Sequence, residues 1–354
     1  MNKKREIYID GTLITDDQPA YIVADIGHNH AGDMARLEAM VDSAKASGVN
    51  AVKFQTRNPK SLYSPAEYYR TSDNIQWMDK TYGIHREKLE WSPEEWKHVF
   101  DYCREVGISA FSTPFDFRSL DLLVSQHVPA IKIASGDATN LPLIRAASSH
   151  SLPLIISTGG CNQEEVDEIA ETMEKTTTPY ALLQCSCIYP APHDVLNLRA
   201  VETIRRRYPS VVTGLSTHNP DYHPTLAAFA LGGRIFEHHY TNNRRWKGTD
   251  NAFSLTPVMM SKLRQQLDDL LSAMGTGEKK PDPREYSYTA ERRKALYWGK
   301  DVERGTIIKD GDISIQCPGV GIAPKHLETI VGKVVNCNTR AGNAVQMGEV
   351  ELCA

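Results

Sequence analysis

From Tyr21 to about residue 275 the chain repeats one rhythm: a short apolar run, then a longer amphipathic segment, eight times over. The runs are "YIVAD" (21–25), "AVKFQ" (51–55), "ISAFS" (108–112), "AIKIA" (130–134), "PLIIS" (153–157), "YALLQC" (180–185), "VVTGLS" (211–216) and "RIFEHH" (234–239). They are rich in β-branched residues and nearly continuous in hydrophobicity, as parallel strands covered on both faces must be. Between them, "DMARLEAMVDSAKASG" (33–48) places Ala35, Leu37, Met40, Val41 and Ala44 near one stripe, with Gly48 at its C-terminal end. "SPEEWKHVFDYCREVG" (92–107) opens with a Ser-x-x-Glu capping box, and "NQEEVDEIAETMEK" (162–175) reads as a further helix. Eight strand-helix units over about 255 residues predict an α/β fold, a (β/α)8 TIM barrel. The rival, a doubly wound open sheet, calls for a Gly-rich phosphate loop after an early strand, and no G-x-G-x-x-G stands there.

The rhythm stops near residue 275. Residues 276–290, "TGEKKPDPREYSYTA", are polar and proline-bearing and read as a linker. Residues 291–354 change texture, with short apolar runs and the turn pairs "ERGT", "KDGD", "PGVG" and "RAGN", which predict a small β-rich domain after a barrel domain of 1–275. A formal net charge of -4 with no basic patch excludes nucleic acid as a partner, and the "RRR" at 205–207 reads as a solvated helix end. No window reaches the roughly 20 apolar residues of a membrane span, and the N-terminus lacks a signal-peptide core, so no membrane partner and a cytoplasmic location are expected. Seven cysteines (103, 161, 185, 187, 317, 337, 353) without C-x-x-C spacing read as reduced and mostly buried thiols.

In such a barrel the C-terminal ends of the strands face a common mouth. Those positions hold Asp25, His28, His30, Lys53, Gln55, Ser112, Thr113, Asp116, Lys132, Ser135, Asp137, Ser157, Cys187, Tyr189, Ser216, His218, Glu237 and His239, a set unsuited to packing a core. Lys53 and Lys132 lie inside apolar strands. A buried lysine is costly unless paired, so an inward-facing couple implies an anionic guest; the alternative is that both point outward and snorkel between helices. Ser135, Ser157 and Ser216 at matching strand ends suit the same anion. His218 and His239 end neighbouring strands, and two imidazoles completed by water or substrate oxygens suit a labile divalent ion such as Mn²⁺, hydrogen-bonded core histidines being the alternative. His238 faces the other way and reads as structural.

In order and spacing, "VADIGHNHAGD", "AVKFQT", "FSTPFD", "IKIASGD", "STGG", "YPAP", "LSTH", "FEHHYT" and "PGVGIAP" resemble the motif series of the sialic acid synthases, the phosphoenolpyruvate-dependent N-acetylneuraminate synthase family, from about residue 20 to the C-terminus. The resemblance implies a TIM barrel followed by an antifreeze-like (SAF) domain, and condensation of phosphoenolpyruvate with a mannose-type aldose, N-acetylmannosamine or a relative, to a nonulosonic acid and phosphate. It implies a phosphoenolpyruvate site of Lys53, Lys132, Ser135, Ser157 and Ser216, and sugar contacts from Gln55, Tyr189 and Asp250. It also implies a divalent metal on His218 and His239, Mn²⁺ with Mg²⁺ or Co²⁺ as alternatives, that polarises the aldehyde. Asp137 stands where the family has glutamate and is the candidate for handling the proton of the attacking water, with a helix N-cap as its alternative role. Asp25 also replaces glutamate and is the second candidate catalytic carboxylate.

Cys187 occupies a position often Asn or Ser and reads as an inert buried thiol. Cys317 in "IQCPGVGIAP" replaces an arginine that reaches toward the sugar's acyl group, which points to an acceptor other than ordinary N-acetylmannosamine. The family further implies a domain-swapped homodimer. Two other readings stand beside this one: a 3-deoxyoctulosonate- or heptulosonate-phosphate-type synthase acting on a phospho-sugar, which would lack the small domain, and a non-catalytic carbohydrate-binding relative.

Overall fold

Each of the eight apolar runs forms a strand. The computed structural model describes residues 4–71 and 80–350. After an N-terminal hairpin of β1 (Glu6–Ile9) and β2 (Thr12–Thr15) come β3 (Tyr21–Asp25), β4 (Ala51–Thr56), β5 (Ser109–Pro114), β6 (Ile131–Ile133), β7 (Leu154–Ser157), β8 (Tyr180–Gln184), β9 (Val212–Thr217) and β10 (Ile235–His239). These last eight close into a barrel in the order β10-β3-β4-β5-β6-β7-β8-β9, every pair parallel. Burial on both faces explains the continuous hydrophobicity: β3, β7, β9 and β10 have no exposed residue.

The helices begin and end where local chemistry allows. Ser92 and Asn162 close capping boxes with Glu95 and Glu165, Asp33 caps Met34–Ala46, and Gly107 ends Pro93–Val106 in the left-handed region at φ 75°. Each such cap is worth about 1 kcal/mol. The N-terminal hairpin lies outside the eightfold rhythm. Its turn, Asp10-Gly11, has φ 50° and 74°, which suits a two-residue type I′ connection, and its Ile7, Ile9 and Ile14 join the main core.

The chain divides into two compact units, Met1–Gly275 and Thr276–Ala354. In the second, β11 (Ala295–Trp298) pairs antiparallel with β12 (Ile313–Gln316), over a core that includes Leu296, Trp298, Ile308, Ile330 and Val345. Within the stretch read as a linker, a helix starts at Tyr286 and runs to Arg292. No described helix is long and apolar enough to cross a membrane.

The cysteines are less buried than expected: Cys103 and Cys185 are buried and Cys161 half-buried, but Cys187, Cys317 and Cys337 are exposed. Cys353 lies outside the described residues.

Candidate active site

Parallel pairing sets Asp25 of β3 beside Lys53 of β4, and brings β10 against β3 on its other side. Because side chains alternate along a strand, this register turns Asp25, Lys53 and Glu237 into the barrel together. Lys53 Nζ lies 2.8 Å from Asp25 Oδ2 and 3.7 Å from Glu237 Oε1, and Lys132 Nζ lies 3.5 Å from the same Glu237 oxygen. Both lysines are almost wholly buried, and both line a cavity of about 790 Å³ at the strand ends. The outward, snorkelling arrangement is therefore not the one adopted.

The two ammonium groups are held differently. Burial pushes Lys53 toward neutrality, but Asp25 and Glu237 outweigh it and its pKa stands above the ordinary value. For Lys132 burial dominates; Glu237 opposes it only in part, Lys53 adds repulsion, and its pKa is lowered. An anion arriving beside Lys132 would supply the missing charge.

Every residue given a catalytic, metal or substrate role from the sequence lines this cavity except Asp137, and of the other strand-end positions His30, Ser112 and Asp116 also stay outside its lining. Asp137 ends a single 3₁₀ turn, Ser135–Asp137, where its Oδ1 accepts from Asn140 Nδ2 at 3.0 Å. Asn140 in turn caps the helix Leu141–Ser148. The N-cap role weighed for Asp137 belongs to its neighbour, and Asp137 orients that cap. Glu237, which the strand-end reading included without a role, is the carboxylate that touches both lysines.

Several buried polar atoms in the cavity have no hydrogen-bond partner: Ser157 Oγ, Asp25 Oδ1, Glu237 Oε2 and His239 Nδ1. Buried polar groups are normally satisfied, so their convergence on one cavity marks a place for a polar ligand. Ser216 Oγ donates to Glu237 Oε1 at 3.2 Å, and Ser135 Oγ accepts from the Gly159 N–H at 2.9 Å.

The rings of His218 and His239 stand 5.3 Å apart. His218 Nδ1 donates to the Ser186 carbonyl at 2.9 Å, which leaves Nε2 bare. Burial first, then repulsion from His239, hold His218 down to about 3, so its lone pair is available at neutral pH. A ring fixed by an N–H to a backbone carbonyl is the usual arrangement of a metal-ligating histidine. Asp25 Oδ2 lies 3.6 Å from His239 Nε2, and Asp250 Oδ2 3.5 Å from its Nδ1. The donor set fits a divalent ion held by two imidazoles, with oxygens from water or substrate completing its shell. Among the described residues no group of three or more His, Cys, Asp and Glu is arranged to hold a metal. Tyr189 lays its ring over His218 at 3.8 Å. His238 faces away, its Nε2 2.7 Å from Thr225 Oγ1, as its place in the strand predicts.

Cys187 is not the inert buried thiol expected. It is exposed and lines the cavity beside Ser135, and its hydrogen bond with the buried Cys185 lowers its pKa to about 6. Sequence reasoning also missed Arg57, Arg86 and Glu90, which cluster with His28 next to Gln55. The available signal was the spacing Lys53, Gln55, Arg57, which continues one face of β4 past its end.

Compared with known proteins, residues 40–279 match the NeuB family and residues 293–351 the SAF domain. The N,N'-diacetyllegionaminic acid synthase of Legionella pneumophila is 33% identical over 340 residues, covering 94% of both chains. The N-acetylneuraminate-9-phosphate synthase of Drosophila melanogaster is 36% identical over 256 residues, 72% of this chain and 68% of that one. Among solved structures, the N-acetylneuraminic acid (sialic acid) synthetase of Leptospira borgpetersenii serovar Hardjo-bovis in complex with citrate superposes with a TM-score of 0.73 at 28% identity, covering 81% of this chain and 96% of that one.

Proposed function

Because the chain belongs to the NeuB family of nonulosonic acid synthases and carries a SAF domain, we propose that it condenses phosphoenolpyruvate with an open-chain mannose-type aldose, releasing phosphate and a sialic-type acid. The observation that carries this reading is the pair of buried lysines, which share one carboxylate and face a cavity with unpartnered polar atoms.

In this reading Lys53 and Lys132 grip the phosphate and carboxylate of phosphoenolpyruvate, and Ser135, Ser157 and Ser216 donate hydrogen bonds to them. A divalent ion on His218 and His239, Mn²⁺ or alternatively Mg²⁺ or Co²⁺, would supply Lewis-acid polarisation of the acceptor's aldehyde. Gln55, Tyr189 and Asp250 hold the sugar so that its aldehyde carbon meets C3 of the enol phosphate. As that carbon–carbon bond forms, C2 becomes electron-poor and takes up water. Glu237, with Oε2 free, accepts the water proton, a role its position supports better than that of Asp137. Asp25 fixes Lys53 at 2.8 Å and keeps it charged. The former aldehyde oxygen takes up a proton to become a hydroxyl, and the C2–O bond to phosphate breaks. Cys317 in place of the family's arginine supports an acceptor other than plain N-acetylmannosamine. A homodimer belongs to the same proposal, and light scattering giving a monomer mass at assay concentration would remove it.

The test is release of inorganic phosphate from phosphoenolpyruvate with Mn²⁺ and a panel of mannose-type aldoses. Release with at least one aldose, lost in His218→Ala, is expected. No release with any of them would turn the case toward a binding protein.

A further inference from the structure

Where the chain leaves β8 after Gln184 it carries two thiols, Cys185 and Cys187, with Ser186 between them. Cys185 is buried and Cys187 exposed, and both line the cavity that holds the lysines. The two share a hydrogen bond, and both reach Ser135, whose Oγ accepts from the Gly159 N–H at 2.9 Å. The junction is close: a methyl on Gly159 would lie 2.7 Å from Cys187 Sγ and 2.7 Å from Ser135 Oγ. Ser186 is tied at both ends, its Oγ donating to the Val195 carbonyl at 2.6 Å and its own carbonyl accepting from His218 Nδ1 at 2.9 Å. The condensation proposed above uses neither thiol.

The two sulfurs are unlike. The hydrogen bond from Cys185 lowers Cys187 to about 6, against its own burial and with help from Ser135 and Lys132, so at neutral pH it is mostly thiolate. The same hydrogen bond and then burial hold Cys185 well above the ordinary thiol value, so it keeps its proton. A solvent-reachable thiolate beside a protonated thiol is the arrangement in which the first reacts with an oxidant and the second resolves the product. Reach is not an obstacle. Two residues of extended chain span about 7 Å, a disulfide needs its Cα atoms about 4.4–6.8 Å apart, and the segment after Gln184 is outside the sheet, so a slight curl is enough. Cys161 lines a second cavity, together with Cys185, and does not line the one that Cys187 faces.

We propose that Cys185 and Cys187 are a modification site, a thiol pair that peroxide closes to a disulfide in the wall of the cavity beside Ser135, shutting the anion end. The Cys187 thiolate attacks one peroxide oxygen; the O–O bond breaks, hydroxide leaves and takes a proton from solvent, and the sulfur is oxidised to a sulfenic acid. Cys185 sulfur then attacks Cys187 sulfur, the S–S bond forms, and the departing hydroxide leaves as water with the Cys185 proton. A dithiol reductant reverses the second step by thiol exchange. Bridged, Cys187 has no proton to donate and is drawn from Ser135, and the new ring encloses Ser186, whose carbonyl fixes His218. That the anion shut out is phosphoenolpyruvate rests on the function proposed above; the thiol chemistry does not.

The test is mild hydrogen peroxide treatment of the reduced full chain, then alkylation of the remaining thiols, peptide mapping, and calorimetry with phosphoenolpyruvate. A bridge between Cys185 and Cys187 should form, affinity for phosphoenolpyruvate should fall at least about tenfold, as expected for loss of a hydrogen bond to a charged group, and dithiothreitol should restore both. Cys185→Ser, treated in the same way, should form no bridge and should carry on Cys187 a sulfenic acid that dimedone captures. Peroxide that leaves both residues as thiols, a bridge from Cys187 to Cys161, or a bridged protein that binds phosphoenolpyruvate as tightly as the reduced one would overturn the proposal. A reduced protein that binds no phosphoenolpyruvate yet forms the Cys185–Cys187 bridge would lose the condensation and keep the modification site.

Discussion

Lys53 and Lys132 serve one site, but removing each leaves a different residue behind. Lys53→Met strands Asp25, whose Oδ2 it holds at 2.8 Å, and withdraws the cation 3.7 Å from Glu237, so it should cost about 3–5 kcal/mol of stability at pH 7. Lys132→Met removes an ammonium already short of compensation and leaves Glu237 with Lys53, so its cost should stay below about 2 kcal/mol. Both should abolish phosphate release. Urea unfolding of the two variants checks the contrast, and equal losses would show that the carboxylates are not apportioned as described. At this scale the sequence showed which residues meet, because parallel strands deliver alternate side chains at their ends to one mouth. It did not show how carboxylates are shared. That Glu237 bridges the lysines while Asp137 turns aside to Asn140 depends on ångström-level placement on β10 and on one 3₁₀ turn, which no spacing encodes.

Of the described glycines, Gly214 on β9 has the closest neighbours. Gly214 pairs with Ile235 of β10, and a methyl added there would lie 1.8 Å from the Ile235 carbonyl oxygen and 2.8 Å from Leu183 of β8. Two backbones and a side chain fixed by the barrel cannot all yield, so Gly214→Ala should accumulate as insoluble or non-cooperatively unfolding protein. Gly348→Ala, where a methyl meets nothing within 4 Å, should express and melt normally. A soluble Gly214→Ala protein with an unchanged melting temperature would contradict the closed-barrel packing. All eight barrel strands were legible because each is a short apolar run that stands out against amphipathic neighbours. The hairpin of β1 and β2 is outside that periodicity; its signal is local, Asp10-Gly11 set between alternating apolar residues in "IYIDGTLIT". The exposure of Cys187 was hidden for another reason: two positions after the buried Cys185 the chain has left β8 for a loop, so the alternation that would predict its facing no longer applies.

For the whole molecule, the decisive quantity is where each unit keeps its apolar residues. Met1–Gly275 holds a cluster that runs from Ile7 to Leu267 and includes Trp96, Phe100, Phe111 and Phe236. A barrel of that size buries roughly 70–75% of the surface its unfolded chain exposes, enough for independent stability. Among its described residues Thr276–Ala354 has a core cluster of nine buried apolar side chains, and domains of this size rarely gain more than about 3–5 kcal/mol from such a core. The charged and unpartnered groups of the cavity all belong to the first unit, since its lining runs from Asp25 to Asp250. A chain ending at Gly275 should therefore unfold in one cooperative transition and bind phosphoenolpyruvate with an affinity within about threefold of the full chain, because the groups that hold the anion are all retained. Calorimetric titration and a thermal melt of residues 1–275 provide the measurement. Loss of phosphoenolpyruvate binding in a truncated chain that still melts cooperatively would mean that the lysine end is not complete within the barrel.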